Sequence, residues 1–237
     1  MAIRPYNNCF CYGEGSVLKC LKVKEEVYER LKLGYLEKRD SIRARLREFK
    51  DVFEKGDDRR IFEELAFCIL TSAVGPKVGL MSLNAIRDVL LEGSEDDLYR
   101  KLQGVHKYPE RAGFIVETRE YLKKEFDFKL KDLILSFKDP LERRDFFASN
   151  KGIRGIGYLQ ASHFLRNIGF SGYAILDKNV MLSLYQFGVI DSPRPPTTRK
   201  KYLEIEEKLK GFAKELGIGF DELDLLLWSE RTGRVPR

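Results

Sequence analysis

Three glycines within six residues, Gly152, Gly155 and Gly157, stand between two stretches of helical period, and no other feature constrains the chain as much. Upstream, Leu141 to Asn150 reads as a helix. Downstream, Leu159, Ala161, Phe164, Leu165 and Ile168 recur with helical spacing until Gly169 supplies a stop. A glycine turn that runs into a helix N-terminus leaves backbone N–H groups without partners, and these groups, helped by the helix dipole, bind phosphate oxygens. Glycine also lets the backbone approach a strand where a side chain would intervene. Lys151 and Arg154 add positive charge beside the turn. No β-strand precedes it, so it is not a dinucleotide fingerprint. The unit over 151–169 therefore reads as helix–hairpin–helix, and its expected phosphate contacts are Lys151, Gly152, Arg154, Gly155, Ile156, Gly157 and Tyr158. A plain helix–helix connection is the blander alternative.

The rest of the chain is compatible with such a unit. Its 237 residues are 43% hydrophobic, enough for a packed core in one or two domains. The net charge of +6 permits nucleic-acid binding without requiring it, because 43 Lys and Arg face 37 Asp and Glu. No apolar run reaches the roughly 18 residues that a membrane span needs, and no signal peptide opens the chain, so an intracellular protein without a membrane partner is expected. The richness in Lys, Arg and Glu would suit a thermophile. Cys9, Cys11 and Cys20 cluster early and Cys68 lies in an apolar helix; this spacing fits neither a zinc site nor an iron–sulfur cluster, and reduced thiols are expected.

Apart from a short hairpin suggested by Phe10, Tyr12, Val17 and Leu18, no run shows period two, so the fold class is all-α. Val27 and Leu31 suit a short helix that Gly34 ends; Ile42, Leu46, Phe49 and Phe53 suit another, closed at Gly56-Asp57-Asp58. Ile61 to Leu70 is apolar enough to be buried all round. Gly75-Pro76 breaks it, and Leu80 to Leu91 forms the next helix. Ser94 is an N-cap before an acidic first turn, and Pro109 starts the helix Glu110 to Glu125. His106, in the turn before it, reads as structural more readily than as a base. The three prolines in Ile190 to Pro196 make a rigid loop. Two helices close the chain, one carrying Tyr202, Ile205, Leu209 and Phe212, the other Phe220 to Trp228.

Gly152-Ile-Arg-Gly-Ile-Gly157 followed by Ala174-Ile-Leu-Asp177 resembles the helix–hairpin–helix DNA glycosylases. Ala161-Ser-His-Phe-Leu-Arg-Asn167, Ala174-Ile-Leu-Asp-Lys178, His106 to Ala112, Phe114-Ile-Val116 and Phe220 to Trp228 narrow this to the small 8-oxoguanine DNA glycosylase/lyase family of archaea and bacteria, over about Glu37 to Arg237. The resemblance implies two helical lobes with the hairpin at their junction and the target base held between them. The chain then divides into an arm and first helix (1–36) and a glycosylase domain (37–237). Its partner is duplex DNA carrying a damaged base; the protein is expected to be a monomer, in the cytoplasm with the chromosome. The cysteine-free C-terminal region excludes the iron–sulfur cluster that some of the superfamily carry there.

The resemblance also assigns roles. Asp177 is the catalytic carboxylate, which stabilises the positive charge on a sugar losing its base; taken alone, it could equally cap the helix that starts at Lys178, and the two roles are compatible. The family's lyase lysine sits two residues after the last hairpin glycine, where this chain has Leu159, and the neighbouring position, commonly Glu, is Gln160. Lyase chemistry is therefore not supported. The changes at Gln160 and in Ser72 to Gly79, where the family carries a tryptophan, favour divergence over a single engineered replacement. Trp228 and Arg237 fall on the positions that recognise the base, although Trp228 could also be plain core. No cofactor is expected beyond a monovalent cation held by the backbone carbonyls of Lys151, Ile153 and Ile156. The first reading is excision of 8-oxoguanine. A monofunctional enzyme for a mismatched or deaminated base, or a catalytically silent DNA-binding homologue, remains open.

Overall fold

The computed structural model describes residues 14–233, with side chains from residue 25 onward. Among these residues every regular element is an α-helix: α1 (Glu14–Lys55), α2 (Asp58–Thr71), α3 (Pro76–Ile86), α4 (Glu95–Leu102), α5 (Arg111–Phe126), α6 (Leu130–Ser136), α7 (Pro140–Ser149), α8 (Tyr158–Asn167), α9 (Lys178–Gln186), α10 (Arg199–Leu216) and α11 (Phe220–Thr232). None of them is long and apolar enough to cross a membrane. The chain forms two compact units, one of residues 47–173 and one that joins residues up to 46 with residues 174 onward.

Two expectations fail in α1. The hairpin proposed around Val17 and Leu18 falls, from Glu14 on, within a helix, while Phe10, Tyr12 and the cysteines at 9 and 11 lie outside the described residues. Gly34 does not end a helix either. A mid-helix glycine costs only about 1 kcal/mol, and here it lies against α11: a Cβ at Gly34 would stand 3.1 Å from Glu230 Oε1. Further long-range contacts hold this stretch. Tyr35 donates to Glu222 Oε2 at 2.7 Å, Arg43 Nε donates to Glu222 Oε1 at 2.7 Å, and Tyr28 packs edge-on against Phe212 at 5.7 Å. Tertiary contacts thus override the local stop signal.

The unit of residues 47–173 is built around α2. Ile61, Phe62 and every residue from Leu65 to Leu70 are buried, so the helix presents no wet face, and α3, α5, α6 and α8 pack on it. Asp57 caps its start, accepting from Arg60 N at 2.8 Å. Pro76 is the first residue of α3, which ends at Ile86 rather than spanning Leu80 to Leu91. Ser94 and Asp97 form a reciprocal capping box at α4. The short α6 carried no clear signal in the sequence.

Gly169, just after α8, has φ +91°, and a Cβ there would lie 2.5 Å from Lys50 Cα. The obstacle is backbone and cannot swing away. Gly169→Ala is expected to cost about 3 kcal/mol, the upper end of ordinary single substitutions, read as a drop in the urea midpoint at unchanged slope. A midpoint equal to that of the parent protein would contradict this close approach of α8 to α1.

Candidate active site

The hairpin occupies residues 150–157 between α7 and α8. Two of its glycines are required by the protein itself. A Cβ on Gly152 would stand 2.3 Å from the Tyr121 ring, whose hydroxyl accepts a hydrogen bond from Asn150 Nδ2 at 2.9 Å. Gly155 has φ +75°, and a Cβ there would approach Phe114 Cδ2 to 2.6 Å. Gly157 differs. Its backbone is extended, and a Cβ would meet nothing within 4 Å. The turn is pinned by Gly152 N on Asn150 Oδ1 (2.8 Å) and Arg154 N on Thr118 Oγ1 (2.9 Å). The first main-chain bond of α8 runs from Ala161 N to Gly157 O at 2.9 Å, so the N–H groups of the first turn do not enter the helical ladder, as at any helix start.

Lys151 and Arg154 are exposed, and Arg154 pairs with Glu117 at 3.0 Å. Behind the turn, the buried Arg144 of α7 lies with its guanidinium 5.3 Å from the Tyr158 ring and 5.4 Å from the Tyr173 ring, and Nη1 donates to Ser162 Oγ at 3.3 Å. This ties α7 to the first turns of α8. His163 packs edge-on against Phe67 at 5.8 Å; burial, with a smaller like-charge push from Arg166, lowers its pKa to about 3, so the ring is neutral at working pH and serves packing.

Leu159 is half-buried on the first turn of α8 and offers only carbon. Its neighbour Gln160 accepts from Gly157 N at 3.3 Å and donates to Ser72 Oγ at 3.4 Å. Gln160 thereby ties the hairpin to the loop that follows α2, a bridge that sequence spacing does not reveal. In that loop Ala73 has φ +69°, uncommon for a residue with a side chain. The end of α2 above the loop is capped from afar: His106 Nδ1 accepts from Tyr108 N at 2.9 Å and Nε2 donates to Leu70 O at 2.8 Å, while Arg111 donates to Ile69 O at 2.7 Å. Both ring nitrogens of His106 are thus spent on backbone, and the residue is structural.

In the other unit, Ala174–Asp177 leads into α9. Asp177 is the N-cap of α9: Oδ1 accepts from Asn179 N (2.8 Å) and Val180 N (2.9 Å). Oδ2 accepts from the indole N–H of Trp228 at 3.1 Å. Half-buried and held on both oxygens, the carboxylate has one orientation. Trp228 is itself half-buried, so it is not simply core, and its only donor is committed to Asp177. Arg237 lies outside the described residues. Missed entirely were Glu206 and Asp224, which hold the segment before Asp177; nothing in the local sequence distinguishes them from surface acids.

The carbonyls of Lys151, Ile153 and Ile156 accept no hydrogen bond from the described residues. Three carbonyl oxygens of one turn without a donor among the described residues are the kind of ligand a monovalent ion takes.

Comparison with known proteins identifies the family. A family model described as 8-oxoguanine DNA glycosylase matches residues 42–218. A Korarchaeum cryptofilum protein named 8-oxoguanine DNA glycosylase/AP lyase is 38% identical over 199 residues, covering 83% of this chain and 90% of its own length. A Fusobacterium nucleatum protein of the same name is 34% identical over 215 residues, covering 90% of this chain and 98% of its own. Among solved structures, the 8-oxoguanine DNA glycosylase of Thermotoga maritima superposes with a TM-score of 0.79 at 34% identity, covering 90% of this chain and all of that one. The Methanocaldococcus jannaschii 8-oxoguanine glycosylase/lyase, solved in complex with a 15mer DNA containing 8-oxoguanine, gives 0.81 at 34% identity with the same coverage. An all-helical fold, a glycine hairpin entering a helix, and a family match over three-quarters of its length together establish that this chain belongs to the 8-oxoguanine DNA glycosylase family.

Proposed function

We propose that this chain excises 8-oxoguanine from duplex DNA and leaves the abasic strand uncut. What carries the reading is that the chain holds an immobilised carboxylate at Asp177 and has only a hydrocarbon side chain at position 159. The damaged base is drawn out of the stack before reaction. The bond from C1′ to the base breaks with its electron pair leaving on the base, and the sugar gains oxocarbenium character. Asp177 stabilises that charge, and an oriented carboxylate needs no reorganisation as the charge develops. With no amine at position 159, water supplies the hydroxyl to C1′ and the second proton goes to the departing base. The products are free 8-oxoguanine and an intact strand with an abasic site. The test is incubation with duplexes carrying single lesions, scoring released base separately from strand cleavage. Release of 8-oxoguanine with scission only after added alkali is the expected result. A lack of release from the 8-oxoguanine duplex would reject the reading, and release of a different base would reassign the substrate.

DNA engagement is assigned to the hairpin, with Lys151, Gly152, Arg154, Gly155, Ile156, Gly157 and Tyr158 along the backbone of one strand. A monovalent cation on the carbonyls of Lys151, Ile153 and Ile156 would add positive charge towards a phosphate. Such contacts release counterions, so affinity falls steeply with salt. Gly157 gives the clean test. Its position has open space around it and a backbone that any residue adopts, so Gly157→Glu is expected to melt within about 2 °C of the parent, while duplex affinity drops at least about tenfold from charge and bulk at the phosphate. Unchanged affinity would remove the hairpin from the interface.

A further inference from the structure

We propose that Asp224 is a positioning residue for Asp177, and that α11 acts as a two-point gauge for the reactive carboxylate. The proposal rests on the assignment of Asp177 to the reaction.

Ala174–Leu176 is buried, non-helical backbone with no neighbouring strand among the described residues, so its polar groups need partners other than a helix or sheet ladder. Side chains supply several. Ala174 N donates to Glu206 Oε2 at 2.9 Å, from α10. Ile175 N donates to Asp224 Oδ1 at 3.0 Å, from α11. Tyr202 of α10 donates to Ala174 O at 2.6 Å and accepts from Leu176 N at 3.4 Å. Glu206 and Asp224 are 2% and 1% exposed, so two carboxylates have been taken out of water for these contacts. Burying a carboxylate is costly unless it is well bonded. Plain connecting backbone would not call for that.

The spacing says what the acids serve. Asp224 and Trp228 are four residues apart and share one face of α11, about 6 Å along its axis. Asp224 fixes the chain at Ile175, and Trp228 fixes Oδ2 of Asp177, two residues on. Between the two points the chain turns tightly, Asp177 N donating to Ile175 O at 2.7 Å. One helix therefore holds both the backbone that delivers the carboxylate and the carboxylate itself. Release of the first point lets the segment shift while the side chain stays tethered. A displacement of about 1 Å at a reacting group can cost on the order of a hundredfold in rate.

The experiment reads single-turnover release of 8-oxoguanine, affinity for the lesion duplex, and emission of Trp228, the only tryptophan in the chain. Asp224→Ala is expected to slow excision about tenfold or more with duplex affinity within about twofold, and to shift the Trp228 emission of the folded protein. Asp224→Asn keeps an oxygen at the Ile175 N–H and should restore the rate to within about threefold of the parent. On an Asp177→Asn background, Asp224→Ala should change the residual rate no further, because the group it positions is gone. A folded Asp224→Ala protein with the parent rate overturns the proposal. So does an equal slowing on the Asp177→Asn background. If the alanine variant does not fold, Asp224→Glu retains charge and acceptor but moves the oxygen by one methylene; slowed excision with altered emission supports the proposal, and parent behaviour overturns it. Full excision by Asp177→Asn alone rejects the assignment of Asp177, which is a separate result.

Discussion

Asp177→Asn is expected to reduce base excision by about a hundredfold or more while leaving fold and DNA affinity almost intact. Asparagine is as good an N-cap as aspartate, so the bonds to Asn179 N and Val180 N persist through its carbonyl oxygen. Its amide nitrogen then faces the Trp228 N–H, donor against donor, where Oδ2 accepted before. The cost of that conflict is about 1 to 2 kcal/mol, visible as a small drop in melting temperature. The loss of rate far exceeds what such a drop can cause, because at assay temperature the protein is still folded. Single-turnover excision, a melting curve and a lesion-duplex titration on one preparation separate the two effects. Parent-like excision would remove Asp177 from the mechanism.

The second large effect concerns the amine that is missing. Borohydride is expected to trap essentially no covalent adduct with the protein as it stands, since Leu159 supplies no nitrogen for an imine. Leu159→Lys should produce an adduct and β-elimination, a gain of strand cleavage by at least two orders of magnitude over a background near zero. Partial burial of position 159 favours the neutral amine, which is the nucleophilic form. Efficient trapping by the parent protein would mean that a different lysine reacts, and the exposed Lys178, next to Asp177, and Lys151 would be the first to replace. Base release that appears only with Leu159→Lys would mean that the chain is a disabled bifunctional enzyme rather than a monofunctional one.

The parts legible in the sequence are those written locally. The hairpin is marked by glycines between two helical periods, α2 by an apolar run, and the starts of α4 and α9 by Ser94 and Asp177. What was misread depends on residues far away in the chain. Gly34 reads as a stop until Glu230 is placed beside it. Gly152 and Gly155 are recognisable as turn glycines, but the rings of Tyr121 and Phe114 that exclude a side chain there are not. The surroundings of Asp177 were illegible for the same reason: Trp228 lies 51 residues on, and Asp224 lies 49 residues from the N–H it accepts. An acid in an amphipathic helix looks the same in sequence whether it meets water or a buried backbone.

The discontinuous unit has a consequence for how the protein is made. Its α1 partners are separated by 187 residues for Tyr35 and Glu222 and by 179 for Arg43 and Glu222. Residues 47–173 form a continuous stretch and can complete their packing while the ribosome is still translating the remainder. The first half of α1 must wait, its inward-facing Leu31 and Ile42 already synthesised, until α10 and α11 emerge. Trp228 and Asp224, which hold Asp177 and the backbone before it, leave the tunnel well after the hairpin does. A nascent chain thus completes its glycine hairpin well before Asp177 can be held on both oxygens, and loss of the contacts from α11 would leave the hairpin built and that carboxylate unheld.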